Sequence, residues 1–299
     1  MKKIAIVVLA FAFALGCKSD DKKKKTDDTK QVKPDPKPDP KPADKGYTLI
    51  TPDARQWGPL DPKQPDGIKI AVVDGNPQEG PSAMFFTLPA GTDAGVHTHT
   101  VGYHAVVLSG SQLHWLPGEK DAKPLAPGGY WYQPGGQPHG DKCASKEDCV
   151  MFIIFEGKFD FAPSEEKKVD PGDAYTLVHA EDLKFGPLDP KQEEGLQVAV
   201  ALGEMKPGNP TAFVIQVPPG AGPPPHHHTS DYYAVTFAGG SAHWGEGEPE
   251  GKATPAGTYW HQSGGRVHSD KCVGEGTCQA FVYMPKGFDF IPQGAPPAK

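Results

Sequence analysis

Beyond residue 47 the apolar residues of this chain gather into short runs that read as β-strands. Examples are "IKIAVV" at 68–73, "SAMFFTL" at 82–88, "YHAVVL" at 103–108 and "CVMFIIF" at 149–155. β-Branched and aromatic residues dominate these runs, and Gly and Pro punctuate the chain between them. No segment of this region carries a helical stripe with caps. Short strands at regular spacing predict an all-β body of the sandwich, barrel or jelly-roll kind. The first 46 residues follow another pattern. Ile4 to Leu15 is an apolar run of 12 residues behind Lys2 and Lys3. It is too short for a mature membrane-spanning helix and has the length of a secretion signal's core.

"FALGC" at 13–17 closes that run and resembles a bacterial lipobox, in which the cysteine is lipidated and becomes the new N-terminus; Ala14 stands where leucine is usual. The expectation is a lipoprotein signal over 1–17 with Cys17 as the lipidated residue. The alternative is a signal peptide without lipid. Residues 18–46 contain Val32 as their only large apolar side chain and repeat Lys-Pro-Asp-Pro. They cannot bury a core and predict a disordered, extended spacer between an anchor and a folded body. That spacer holds ten Lys and seven Asp, and the signal adds two Lys. Of the chain's 30 basic and 37 acidic residues, 18 and 30 therefore remain in the body, a net charge of −12. Such a body is a poor partner for nucleic acid. An extracytoplasmic location, with the membrane reached through the N-terminal anchor, fits all three features.

The body repeats itself. "WGPLDPKQ" at 57–64 returns as "FGPLDPKQ" at 185–192, and "VGYHAVVLSGSQLHW" at 101–115 aligns with "SDYYAVTFAGGSAHW" at 230–244. "GGYWYQPGGQPHGDKC" at 128–143 aligns with "GTYWHQSGGRVHSDKC" at 257–272. This is a tandem duplication, with domain boundaries placed at 47–168 and 169–299. Apart from Cys17, the cysteines sit at equivalent places, Cys143 and Cys149 in one copy and Cys272 and Cys278 in the other. Six-residue spacing in an exported chain suits a loop-closing disulfide in each copy. A thiolate metal pair competes, although zinc pairs more often have two intervening residues.

Histidines carry the candidate chemistry. His97, His99 and His104 fall within eight residues, and neutral imidazole is the commonest transition-metal ligand. Residues i and i+2 of a strand share a face, so His97 and His99 point the same way. At this point the chain resembles the cupins. Their first motif is a glycine, five residues, His-x-His, three or four residues, a glutamate, and later a glycine. Gly91, His97, His99 and, after four residues, His104 follow it. Gly128, Pro134, Gly136 and His139 match the second motif. In the second copy, Gly220, His226 and His228 are followed by Gly257, Gly265 and His268, with Ser263 replacing the proline. The resemblance covers 47–299, so the protein is similar to a bicupin, and among bicupins to an uncharacterised cupin-like family.

It implies two jelly-roll barrels. It also implies metal ligands His97, His99, His104 and His139 in the first and His226, His228 and His268 in the second. Where glutamate is usual, copy one has His104 and copy two has Tyr233. An all-imidazole set brings no negative charge and suits Zn, Cu, Fe or Ni over Mg or Ca. His227 alternates to the opposite face and is not counted as a ligand. Asp231 is a carboxylate near the second site, two residues out of register. His114 and His243 recur before Trp as candidates for groups behind the ligands, and Tyr132 and His261 as residues that differentiate the pockets.

Two classes of function follow. One is a surface-tethered binding module that senses or sequesters a metal or small ligand. The other is a metal-dependent enzyme, of dioxygenase or lyase/isomerase type, acting on a small oxygenated molecule, with Tyr103, His114 and Tyr132 as candidates for proton transfer. The family also leaves room for a homodimer.

Overall fold

The computed structural model describes residues 45–294; the signal, Cys17 and nearly all of the spacer lie outside them. Among the described residues the secondary structure is strand throughout, apart from single 3₁₀ turns at Pro52–Ala54 and Ala180–Asp182. No helix there is long and apolar enough to cross a membrane. Four antiparallel sheets form two barrels.

In the first barrel the large sheet runs, in spatial order, Thr176–Val178, Tyr130–Gln133, Tyr103–Ser109, Cys149–Phe155, Ser82–Leu88, Lys69–Gly75 and Gly58–Pro59. Facing it is a small sheet of Ala162–Pro163, Asp93–Thr98, His139–Cys143 and Gln112–Trp115. The second barrel repeats the plan. Its large sheet runs Tyr47–Ile50, Tyr259–Gln262, Tyr232–Ala238, Cys278–Met284, Thr211–Val217, Gln197–Leu202 and Gly186–Pro187, and its small sheet holds Ser241–Gly245, His268–Cys272, His226–His227 and Ile291–Pro292.

The central strands of the large sheets are buried on both faces, which is why they read as continuous apolar runs rather than alternating ones. From Tyr103–Ser109, the side chains of Tyr103, Ala105 and Val107 fill the first barrel, while Val106 and Leu108 join a core between the barrels. Met151, Ile153 and Phe155 likewise point inward and Phe152 and Ile154 outward. The shared core mixes residues of both copies. Phe152 meets Tyr259 at 5.5 Å and Tyr130 meets Phe281 at 5.6 Å between ring centroids. Aromatic pairs of this kind add about 0.5–1.5 kcal/mol to what their burial supplies.

The copies also exchange strands. Tyr47–Ile50 pairs with Tyr259–Gln262 of the second barrel, and Thr176–Val178 pairs with Tyr130–Gln133 of the first. "YTLI" at 47–50 and "YTLV" at 175–178 are the same element in the two repeats. Each copy therefore lends its opening strand to the other, and the boundaries placed at 47 and 169 are crossed by both arms.

Cys143–Cys149 and Cys272–Cys278 are disulfides, each closing the turn between two strands with Cα atoms 5.6 Å apart. A loop this short stabilises the folded chain by about 2 kcal/mol.

Candidate metal centres

Each centre starts at a glycine turn. Gly91 and Gly220 hold φ of +72° and +74°, a left-handed conformation that side chains disfavour, and the chain then enters the small sheet. His97 and His99 follow in the first barrel and His226 and His228 in the second. The neighbouring strand opens with His139 directly opposite His97, and with His268 opposite His226. Strand alternation thus gathers His97, His99 and His139 at one point inside the first barrel and His226, His228 and His268 inside the second. In each triad the ligand-capable nitrogens lie within 4.8 Å of one another, and all six residues are buried.

Hydrogen bonds fix which nitrogen faces the centre. The Nδ1–H of His97 donates to the Gly95 carbonyl (2.9 Å), that of His99 to the Asp160 carbonyl, and that of His139 to the Gln137 carbonyl (3.0 Å). In the second barrel the acceptors are the carbonyls of Pro224 (2.9 Å), Asp289 and Arg266 (3.3 Å). All six rings consequently present Nε2 lone pairs inward, the tautomer that a metal site requires. Burial pushes every ring below its ordinary value, His99 and His228 to about 4, His268 to about 3 and His139 to about 2. The donors are neutral near pH 7, and protons compete poorly for them.

A carboxylate stands beside each triad, on the residue two beyond the last histidine. Asp141 Oδ2 lies 3.6 Å from His97 Nε2 and 3.8 Å from His139 Nε2, and Asp270 Oδ2 lies 3.6 Å from His268 Nε2. Burial opposes ionisation of Asp141. The charge and hydrogen bond of His114 outweigh it and hold the carboxyl well below the usual carboxylate range; Asp270 is held low in the same way, chiefly by His243. His114 Nδ1 contacts Asp141 Oδ1 at 3.0 Å and its Nε2 contacts Gln133 Oε1 at 3.1 Å, and His243 repeats this with Asp270 and Gln262. These two histidines aim the carboxylates. Over them lie tyrosines of the exchanged arms, Tyr175 above His114 and Tyr47 against His243.

Tyr103 and Tyr232 complete the polar end. The Tyr103 hydroxyl accepts from Trp131 Nε1 (3.2 Å) and donates to His139 Nε2 (3.0 Å), and Tyr232 does the same with Trp260 and His268. Burial raises both phenols well above their ordinary value, so they stay protonated.

His104 does not join the first triad. It follows Tyr103 on the strand, so alternation turns it to the opposite face. There its Nδ1 meets the Tyr130 hydroxyl at 2.8 Å, its Nε2 lies 3.5 Å from Glu156, and its ring packs against Tyr283 of the other copy. Three residues, not four, separate His99 from the position that enters the barrel, and Tyr103 occupies it. Tyr233 is displaced for the same reason and packs against His261, while Tyr232 faces inward. Tyr132 and His261 thus lie away from the cavities and do not differentiate them. Asp231 accepts from the Gly264 amide and lies near His261. The missed residues, Asp141 and Asp270, had a signal in the repeated His-x-Asp-Lys-Cys of both copies, since i and i+2 share a face. The centres therefore carry a negative charge where an all-imidazole set was expected.

Residues 45–159 match the ChrR cupin-like domain family. The oxalate decarboxylase of Lactobacillus farciminis, solved as a formate complex, superposes with a TM-score of 0.57 over 82% of this chain and 88% of that one, at 13% identity. The fold is a bicupin. A structure described as a candidate dioxygenase from Nostoc punctiforme matches this bicupin with a TM-score of 0.66 at 11% identity, over 84% and 88% of the two chains. AerE from Microcystis aeruginosa matches with 0.54 at 13% identity, over 77% and 95%. A comparison with curated protein sequences gave no match.

Proposed function

We propose that this bicupin is an exported, lipid-anchored protein that binds one divalent transition-metal ion in each barrel. His97, His99 and His139 hold the first ion and His226, His228 and His268 the second, with Asp141 and Asp270 as the adjacent carboxylates. Zn, Cu, Fe and Ni all suit three imidazoles and a carboxylate. The observation that carries the reading is the Nδ1–H of all six rings tied to backbone carbonyls. A histidine kept for packing has no need of that tautomer, and six such rings in two repeats point to selection for the inward lone pair. Export and anchoring at Cys17 rest on the N-terminal sequence and agree with two disulfides.

Two of the similar structures are an oxalate decarboxylase and a protein described as a candidate dioxygenase. A small dianion such as oxalate needs cationic partners; neither Arg55 nor Arg266 lines either cavity, and Lys271, which borders the second, is paired with Glu250 at 2.9 Å. Metal binding is thus the function favoured here, and chemistry on a small oxygenated molecule is the second reading, supported by Tyr232 and Asp270 beside an open cavity.

The test is elemental analysis of the full chain purified without a histidine tag. Two equivalents of metal are expected, falling to one in His97→Ala/His99→Ala and to one in His226→Ala/His228→Ala. No metal after reconstitution with Zn, Cu, Fe or Ni refutes the reading. Membrane fractionation of Cys17→Ser checks the anchor: the variant is expected to leave the membrane fraction.

A further inference from the structure

The two barrels share a fold and a polar end but not the room beside it. The cavity against the second triad measures about 100 Å³ and the one against the first about 50 Å³. The difference traces to aligned wall positions. Phe86, Leu88, Met151, Ile153 and Phe155 of the first barrel become Ile215, Val217, Ala280, Val282 and Met284 in the second. Two of these changes fall on directly opposed residues: Phe86 faces Met151 across its strand pair, and Ile215 faces Ala280. A single wall is thus thinned from both sides. Met84 to Phe213 runs the other way, and Phe213 packs edge-on against Phe288. Deleting buried groups without refilling loses contacts, so packing alone does not favour an emptied barrel centre.

The walls decide what fits. Around the second cavity stand Ile215, Ala280, Val282, Phe288 and Phe290; His226, His228, Tyr232 and Asp270 form its triad end, and Thr236, Ser241, Lys271 and Gln279 also border it. Its size is of the order of the ~150 Å³ engineered cavity that takes benzene, whereas the space against the first triad is half as large. Charge narrows the choice further. A dianion or a zwitterion would bring unpaired charge against apolar walls.

We propose that the second barrel, and not the first, binds a small, mainly apolar molecule bearing one oxygen donor: a phenolate, an enolate or a monocarboxylate. Its ring or branched chain lies between Ile215, Ala280, Val282 and Phe288, and its oxygen faces the triad and the Tyr232 hydroxyl. The apolar half of this inference stands on the cavity alone, while the oxygen half rests on the metal-binding reading above. The first barrel, filled by Phe86 and Met151, keeps its triad without an organic ligand.

Two probes separate these halves. Toluene reads the apolar cavity, and phenol reads the cavity together with the ion. Both are titrated calorimetrically into the full chain, metal-loaded and metal-stripped. One toluene per chain is expected in either form. Phenol is expected to bind at least tenfold more tightly in the loaded form. Ala280→Met restores the first barrel's residue and is expected to weaken toluene at least tenfold with metal content unchanged. Val217→Leu/Val282→Ile, a milder filling, is expected to weaken it severalfold. Met151→Ala is expected to open a second toluene site. Absence of toluene binding to the wild-type chain, or unchanged binding in both filled variants, overturns the inference whatever the metal content. Equal phenol affinity in the two forms, with two metals present, overturns the placement of the oxygen. Toluene binding in a chain that takes up no metal overturns the oxygen half through the metal reading and leaves the cavity assignment standing.

Discussion

Acidifying the metal-stripped chain from pH 7 to pH 5 is expected to remove much of its stability. An unfolded histidine titrates near 6.5, whereas in the folded chain burial holds His99 and His228 at about 4, His268 at about 3 and His139 at about 2. Because the folded values lie lower, the unfolded chain binds protons first. The stabilisation is complete above pH 6.5 and is lost as the pH falls toward the folded values. Each unit of difference is worth roughly 1.4 kcal/mol, so a histidine that stays neutral loses up to about 2 kcal/mol by pH 5. Coupling among rings of one triad reduces this to about 1–2 kcal/mol each. Four such residues give a loss of order 5 kcal/mol, comparable to the whole stability of many domains. Asp141 and Asp270 are held low as well, but their contribution is lost only below about pH 4, outside this window. Urea unfolding followed by near-UV circular dichroism at pH 7, 6 and 5 reads the effect directly. A midpoint that stays flat across this range, with an unchanged m-value, would refute the picture of buried neutral rings.

Three further outcomes follow from the same geometry. Asp141→Asn is expected to weaken metal retention in the first barrel about 10–100-fold against a competing chelator, the usual range when a group supporting a metal site is removed, and Asp270→Asn is expected to do the same in the second. Cys272→Ala/Cys278→Ala is expected to destabilise the chain by about 2 kcal/mol, a fall of about 4 °C in melting temperature by calorimetry. Tyr47→Ala removes a ring against His243 and a hydroxyl bonded to Glu248 at 2.8 Å. It is expected to lower metal occupancy severalfold in the second barrel while leaving the first at one equivalent, although Tyr47 belongs to the first repeat. Equal losses in both barrels would count against the arm's local role.

How far the sequence carried this reading depended on which physical signal was periodic. The duplication, the all-β body and the disulfides were legible because repeats, turn residues and paired cysteines are local marks. The triads were legible because His-x-His on a strand needs only alternation within one element. His104 was misplaced because "YHAVVL" is apolar on both faces, so no alternation of burial revealed which residues enter the barrel. With period two erased, a motif that admits three or four intervening residues does not choose between Tyr103 and His104. Asp141 and Asp270 are hidden for a different reason: the cupin motif puts its carboxylate on the strand after the first histidine pair, and here it stands on the strand of the third histidine. The arms were not legible at all. "YTLI" and "YTLV" mark one element twice, and nothing in either tells which barrel it seals.

The exchange of those arms gives the chain a property that neither barrel has by itself. Strand Tyr130–Gln133 is finished by residues 176–178 and strand Tyr259–Gln262 by residues 47–50. A cut between Gly172 and Tyr175 would therefore release two interlocked halves, each still threaded into its sibling's sheet. Either half made alone would expose an unsealed edge that another copy's arm is shaped to fill. In a single-barrel protein such mutual completion would depend on protomer concentration. Fusion of the two repeats makes it intramolecular, so the two cavities were free to diverge in size while their supporting strands remained common property.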